Sequence, residues 1–188
     1  MADDPITLDS IHRIVDLLER ERVVYTFIGG VALSAWAVPR ATFDLDLTIA
    51  LEDDLVVPLL RRAEAAGFVV DAQFLSGFRD RIAGMEHVHF FLPAGQSLLA
   101  VDAFLGRTPF TRSVLARRVA VDLGRGPVYV CTAADLVLFK LVAGRPKDTV
   151  DVRNVVAVQG VPEPDHLRRW AKELHVEERL RAIVDPAQ

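Results

Sequence analysis

The sequence predicts an α/β (α+β) protein in which a mixed β-sheet is flanked by helices and a C-terminal helical subdomain leans on it. Three observations carry that expectation. Helical and strand periodicities alternate over the first 66 residues; strand patterns then dominate as far as Cys131; only helical patterns follow Thr132. The change of pattern divides the chain into a core, residues 1–132, and a helical part, residues 133–188. With 188 residues, 51% hydrophobic and 26% charged, there is material for one well-buried core with a small appendage.

Taken in order, residues 7–21 carry Leu8, Ile11, Ile14, Val15, Leu17 and Leu18 at near-helical spacing. Residues 23–28 are β-branched and aromatic, hence a strand. Gly29 and Gly30 punctuate it before a short helix over 31–37, and residues 43–50 form a second strand. The amphipathic stretch 53–66 stops at Gly67, a helix C-terminal signal. Strands are expected at 68–70, 87–92, 98–104, 118–123 and 128–131. Thr132 then caps a helix over 132–143, with Asp135 in the capping-box position and Gly144 as the stop. Helices over 147–158, 163–174 and 177–184 complete the pattern.

The formal net charge of −4 carries no global signature of nucleic-acid binding. It is uneven, however: Arg107, Arg112, Arg117, Arg118 and Arg125 stand against Asp122 alone. A single cysteine, Cys131, excludes an intrachain disulfide and a cysteine-built metal site. The opening MADDPITL is acidic where a signal peptide is basic, and no apolar run reaches membrane-spanning length, so a cytoplasmic protein is expected.

The chemistry concentrates in PRATFDLDL. Strand residues i and i+2 share a face about 7 Å apart, so Asp44 and Asp46 project together while Phe43, Leu45 and Leu47 turn inward. Adjacent carboxylates repel unless a cation or a proton lies between them. A third acid, Asp102, stands in the apolar run SLLAVDAFLG, where it needs a sheet-surface position or a cationic partner such as an arginine. Three acids on two strands suit oxygen-loving Mg²⁺, and two such ions are an arrangement used in phosphoryl and nucleotidyl transfer. Strand, Gly29-Gly30, then helix is a phosphate-binding arrangement as well as an ordinary turn, and Arg40 lies between the glycines and the acids. Lys140 interrupts an otherwise apolar helix, AADLVLFKLVA, and must snorkel, meet an acid or meet a triphosphate. Asp148 and Asp151 fall in the first turn of the next helix, where the dipole favours acids.

IGGVAL, PRATFDLDL, AVDAFL and AADLVLFKLVAGRPKDTVDV, in that order, resemble the nucleotidyltransferase (polymerase-beta-like) superfamily, in particular the small bacterial AbiEii/MenT-type toxin nucleotidyltransferases. The resemblance implies the nucleotidyltransferase fold, with Asp44 and Asp46 as Mg²⁺ ligands and Asp102 assisting the acceptor hydroxyl. It implies Gly29, Gly30, Arg40 and Lys140 at the nucleoside triphosphate (NTP), Lys140 on its phosphates, and Asp148 as an acid that matters in the toxin-like members. Gly30, where many members have Ser, departs from the pattern and bears on the phosphate geometry.

Three readings of the acceptor compete. A toxin of a toxin–antitoxin pair would add nucleotides to the tRNA 3′ end, with arginines 107–125 on phosphates and a cognate antitoxin as partner. An aminoglycoside- or lincosamide-type enzyme would use an acidic acceptor pocket, for which Glu86, Asp80 and Asp71 are candidates. A non-catalytic binding protein would have no need of three clustered acids. Thr42, two residues before Asp44, is a candidate regulatory phosphosite, because a phosphate there would add negative charge beside the acids. His87 and His89 alternate on one strand face as possible metal ligands, whereas His12, His166 and His175 show no partner pattern. Trp36 and Trp170 are expected to be packing residues.

Overall fold

The computed structural model describes residues 6–184. Its elements follow in the order α1 (Leu8–Arg20), β1 (Val24–Phe27), α2 (Gly29–Trp36), β2 (Asp44–Ala50), α3 (Asp53–Ala65), β3 (Val69–Val70), α4 (Ala72–Leu75), β4 (Asp80–Ile82), β5 (Met85–Ala94), β6 (Ser97–Leu105), α5 (Pro109–Ala116), β7 (Val119–Asp122), β8 (Pro127–Val130), α6 (Ala133–Ala143), α7 (Pro146–Gln159), α8 (Pro164–Glu173) and α9 (Glu177–Val184). The expected mixed sheet is present, with strand order β3-β5-β6-β2-β1-β8-β7 and β4 added on β5. Strands β2 and β6 pair in parallel, as do β1 and β8; β1–β2, β5–β6, β3–β5, β4–β5 and β7–β8 are antiparallel.

The core is one buried cluster running from Ile11 on α1 through Phe27, Leu45, Leu47, Ile49 and Val101 of the sheet to Leu136 and Leu138 of α6. Strand β2 alternates, with Leu45 and Leu47 fully buried and Asp44 and Asp46 half-buried on the opposite face. That alternation commits both carboxylates to one side of the sheet.

Four elements depart from the sequence pattern, α4 and β4 among them, since no element was expected between residues 70 and 87. Helix α2 begins at Gly29 rather than residue 31, so the glycines are its first turn and not a separate loop. Helix α5 was not expected between the strands; Thr108 caps it in a capping box with Thr111, and Pro109 occupies the first turn, where its missing N–H costs nothing. At α6, Thr132 accepts from the Asp135 N–H as expected, but the Asp135 carboxylate does not return to the cap backbone. It is fully buried, with His166 Nε2 at 2.7 Å and Arg117 Nε at 3.4 Å, which gives His166 the partner its sequence context did not show. Trp36 donates its indole N–H to the Cys131 carbonyl, and Trp170 packs on Phe110, both structural roles as expected. No described helix is long and apolar enough to cross a membrane.

Candidate active site

Strand register assembles the site. Asp46 on β2 lies directly opposite Asp102 on β6, and Asp102 directly opposite His89 on β5, so three polar side chains form a row across three adjacent strands. Asp44 stands one face-step away on β2. A cavity of about 290 Å³ opens over this row, lined by Gly29, Asp44, Asp46, Asp102, Lys140 and Arg145 among others. Its apolar side is built by Ile82 and Met85 of the β4–β5 hairpin with Phe104 and Phe139.

The acids carry more negative charge than their surroundings relieve. Burial pushes the Asp46 carboxyl up to about 7, with Asp44 and Asp102 adding to the shift and Lys140 and Arg145 opposing it. Asp44 Oδ1 accepts from the Thr42 hydroxyl at 2.8 Å. Asp102 Oδ1 meets His89 Nδ1 at 2.7 Å and His87 Nε2 at 3.5 Å, so the partner of Asp102 is a histidine pair and not an arginine. Both histidines therefore point at the third acid. Among the described residues no three His, Cys, Asp or Glu side chains converge into a ready-made cation cage. Burial first and the two neighbouring acids second keep the Asp46 carboxyl raised, and an all-carboxylate donor set suits Mg²⁺.

Gly29 and Gly30 are required by packing. Gly29 has φ +63°, and a Cβ there would collide with Asp46 Oδ2; a Cβ on Gly30 would lie 2.5 Å from the Thr42 hydroxyl oxygen. The glycines let the α2 N-terminus approach the acid row, and Ile28 at the cap makes no side-chain hydrogen bond to the freed N–H groups.

Lys140 lines the acid cavity from a second cluster, a knot of three cations and two acids. Its Nζ lies 2.7 Å from Asp151 Oδ2 and 3.2 Å from Asp148 Oδ1, and it is 5% exposed, so it meets acids and does not snorkel. Arg40 grips Asp151 with Nε and Nη2 at 3.0 and 2.9 Å, and Arg145 grips Asp148 with Nε and Nη2 at 2.7 and 3.2 Å. Burial pushes the Asp148 and Asp151 carboxyls up, but these hydrogen bonds and the Lys140 charge outweigh it and hold both below the usual carboxylate range. Arg40 does not line the acid cavity; Arg145 does, with Nη1 making no hydrogen bond among the described residues. In the sequence Arg145 stands out only as one charge at a turn, although a cation at a helix cap three residues before an acid signals a local pair.

The basic stretch is largely spent within the molecule. Arg107 pairs with Glu86 and Asp53, Arg117 with Asp135 and Glu163, Arg125 with Asp9, and Arg118 stacks on Tyr129. The acidic candidates for an acceptor pocket are likewise not gathered at the site: Glu86 is held by Arg81 and Arg107, Asp80 binds the Arg81 N–H on exposed β4, and Asp71 precedes α4. None of the three lines the acid cavity.

The fold is that of nucleotidyltransferases. An antigenic nucleotidyltransferase-like protein from Paracoccidioides brasiliensis superposes with a TM-score of 0.56 at 17% identity, over 96% of this chain and 94% of that one. The lincosamide antibiotic adenylyltransferase LnuA, bound to lincomycin, gives 0.57 at 12% identity, over 83% and 100%. ANT(2")-Ia in complex with adenylyl-2"-tobramycin gives 0.55 at 16% identity, over 88% and 96%. No protein-family model and no curated protein matches the chain.

Proposed function

We propose that the protein is a metal-dependent nucleotidyltransferase that moves a nucleoside monophosphate from an NTP to an acceptor hydroxyl. The observation that carries this reading is the in-register row of Asp46 and Asp102 beside Asp44, at the mouth of the α2 N-terminus. Asp44, Asp46 and Asp102 would hold Mg²⁺, which supplies Lewis-acid stabilisation of the phosphate oxygens when bound. The acceptor oxygen attacks the α-phosphorus, the bond from that phosphorus to the bridging oxygen breaks, and pyrophosphate leaves. The acceptor proton passes to Asp102 Oδ2, the carboxylate oxygen that no described side chain engages. The α2 N-terminus and the Arg145 guanidinium face the same cavity and suit the triphosphate. Lys140 acts on it through Asp148 and Asp151, which fix Arg145 and Arg40 in turn.

Two acceptor classes have support. The ordered sequence motifs favour the toxin reading, with a tRNA 3′ end as acceptor and an antitoxin as partner. The walls of the trench favour a small hydroxyl-bearing molecule. Next to the acid cavity, and sharing Met85, Phe139 and Val142 with it, lies a second cavity of about 260 Å³. Phe110, Trp170 and Leu174 line it, Glu173 is its one charged residue, and it offers a polyanion no cation. Thr42 belongs to the same proposal as a control point, since its hydroxyl already touches Asp44 and a phosphate there would add charge to the acid row.

Purified protein with Mg²⁺ and each labelled NTP, offered total tRNA and separately a panel of aminoglycosides and lincosamides, tests the transfer and its acceptor. Label on RNA alone selects the toxin reading, and label on a small molecule alone selects the other. Label on neither, with Asp44→Ala identical to wild type in NTP binding, removes the enzymatic reading.

A further inference from the structure

His89 has no part in the transfer as described, yet it makes the shortest contact to the acid row: Nδ1 lies 2.7 Å from Asp102 Oδ1. The two residues are direct cross-strand partners, and Asp102 is in turn the direct partner of Asp46. Behind this pair His87, 3% exposed and stacked on Phe104 at 5.3 Å, turns Nε2 toward the same Oδ1 at 3.5 Å. Oδ1 is thus engaged from two sides, while Oδ2 has no hydrogen-bond partner among the described residues.

We propose that His89 is the positioning residue for Asp102, holding its carboxylate so that Oδ2 alone is presented to the cation and the acceptor; this rests on the nucleotidyltransferase reading. The physical need is plain. Asp102 stands opposite a second carboxylate, and repulsion from Asp46 and Asp44 would rotate an untethered side chain away from the cavity. A donor on the far strand supplies the tether. An imidazole suits the task, because its Nδ1–H can donate to Oδ1 from the directly facing strand position. His87 Nδ1 is buried without a hydrogen-bond partner. The His89 ring itself is held edge-on by Phe91, at 4.6 Å between centroids. Partners that orient a metal-binding side chain in this way typically change metal affinity by roughly 10–100-fold when removed.

The test uses the full chain and Mn²⁺ alone, whose binding is followed by electron paramagnetic resonance. His89→Phe keeps a ring against Phe91 and deletes the donor; His89→Asn restores a donor near the position of Nδ1; His89→Gln moves it to the position of Nε2. The expected result is Mn²⁺ affinity about tenfold weaker in His89→Phe and His89→Gln, with most of it recovered in His89→Asn, at unchanged thermal midpoints. If His89→Phe does not fold, the contrast between Asn and Gln decides alone. Wild-type affinity in all three variants, with Asp102→Asn defective, overturns the positioning role and leaves the transferase reading standing. Wild-type affinity in Asp102→Asn as well removes both.

Discussion

Asp46 and Asp148 are both aspartates withdrawn from bulk water, and their carboxyls are displaced in opposite directions. Asp46 belongs to the acid row, where burial and two like charges raise it to about 7. Asp148 belongs to the knot, where Arg145 and Lys140 hold it low against its own burial. The knot sets three cations against two acids, with every carboxylate gripped by two of them. The row sets three acids against a threonine hydroxyl and two histidine rings. Acids that are all paired from within support the fold, whereas acids left without such pairing suit a cation from outside.

Breaking the knot should cost the most stability. Lys140→Ala leaves two almost fully buried carboxylates with one partner each and is expected to destabilise by about 3–5 kcal/mol, read from urea unfolding. Next comes the close approach that lets α2 meet the row. Gly30→Ala forces a Cβ against Thr42 and should cost about 1–3 kcal/mol while displacing Thr42 from Asp44, measurable as a lower urea midpoint and weaker Mn²⁺ binding. The row itself should respond in the reverse sense. Asp46→Asn removes a like charge, so the metal-free protein should gain on the order of 1 kcal/mol above pH 7, after allowance for screening at the cavity mouth, while losing transferase activity.

Titration separates the two regions most finely. Asp46 has a folded value near 7 against an ordinary 3.8, so the folded state favours its protonated form. Its contribution is complete below about 4 and is lost as pH rises toward about 7. Asp148 and Asp151, held below 3.8, contribute in full above that value and lose their contribution as pH falls through their lowered folded values. Thermal melts of metal-free protein should therefore show stability declining from about pH 4 to 7, and Mg²⁺ should flatten that decline by relieving the ionised row. A rise over that interval in EDTA would contradict the assignment.

Much of the fold and of the acid row is legible in the sequence, and the parts that are not share a cause. The period-2 alternation of Asp44 and Asp46 against Leu45 and Leu47 is enough by itself to mark one acidic strand face. That Lys140 needs a counter-ion follows from its apolar helix, although the partners lie one helix further on. No local pattern encodes the register that sets Asp46 against Asp102 and Asp102 against His89, because strand pairing between distant segments is decided by the whole sheet. The two glycines read as a turn or a phosphate loop; their need for space against Asp46 and Thr42 arises from tertiary packing. Helix α5 does carry a local signal in Thr108-Pro109, but its 8 residues are too few to set up a clear apolar stripe.

The pairing of β2 with β6 has a bearing on when activity can arise as the chain is made. The β5–β6 hairpin joins His89 to Asp102 across only 13 residues, so that half of the row assembles from neighbouring chain. Its union with β2 spans everything from α3 to β5 and is a non-local closure of the slow kind. A chain emerging from the ribosome thus exposes Asp44 and Asp46 long before Asp102, and later still before the knot on α6 and α7. On the transferase reading proposed above, the row and the knot are complete only once synthesis has passed α7, and a shorter chain carries Asp44 and Asp46 without their partners.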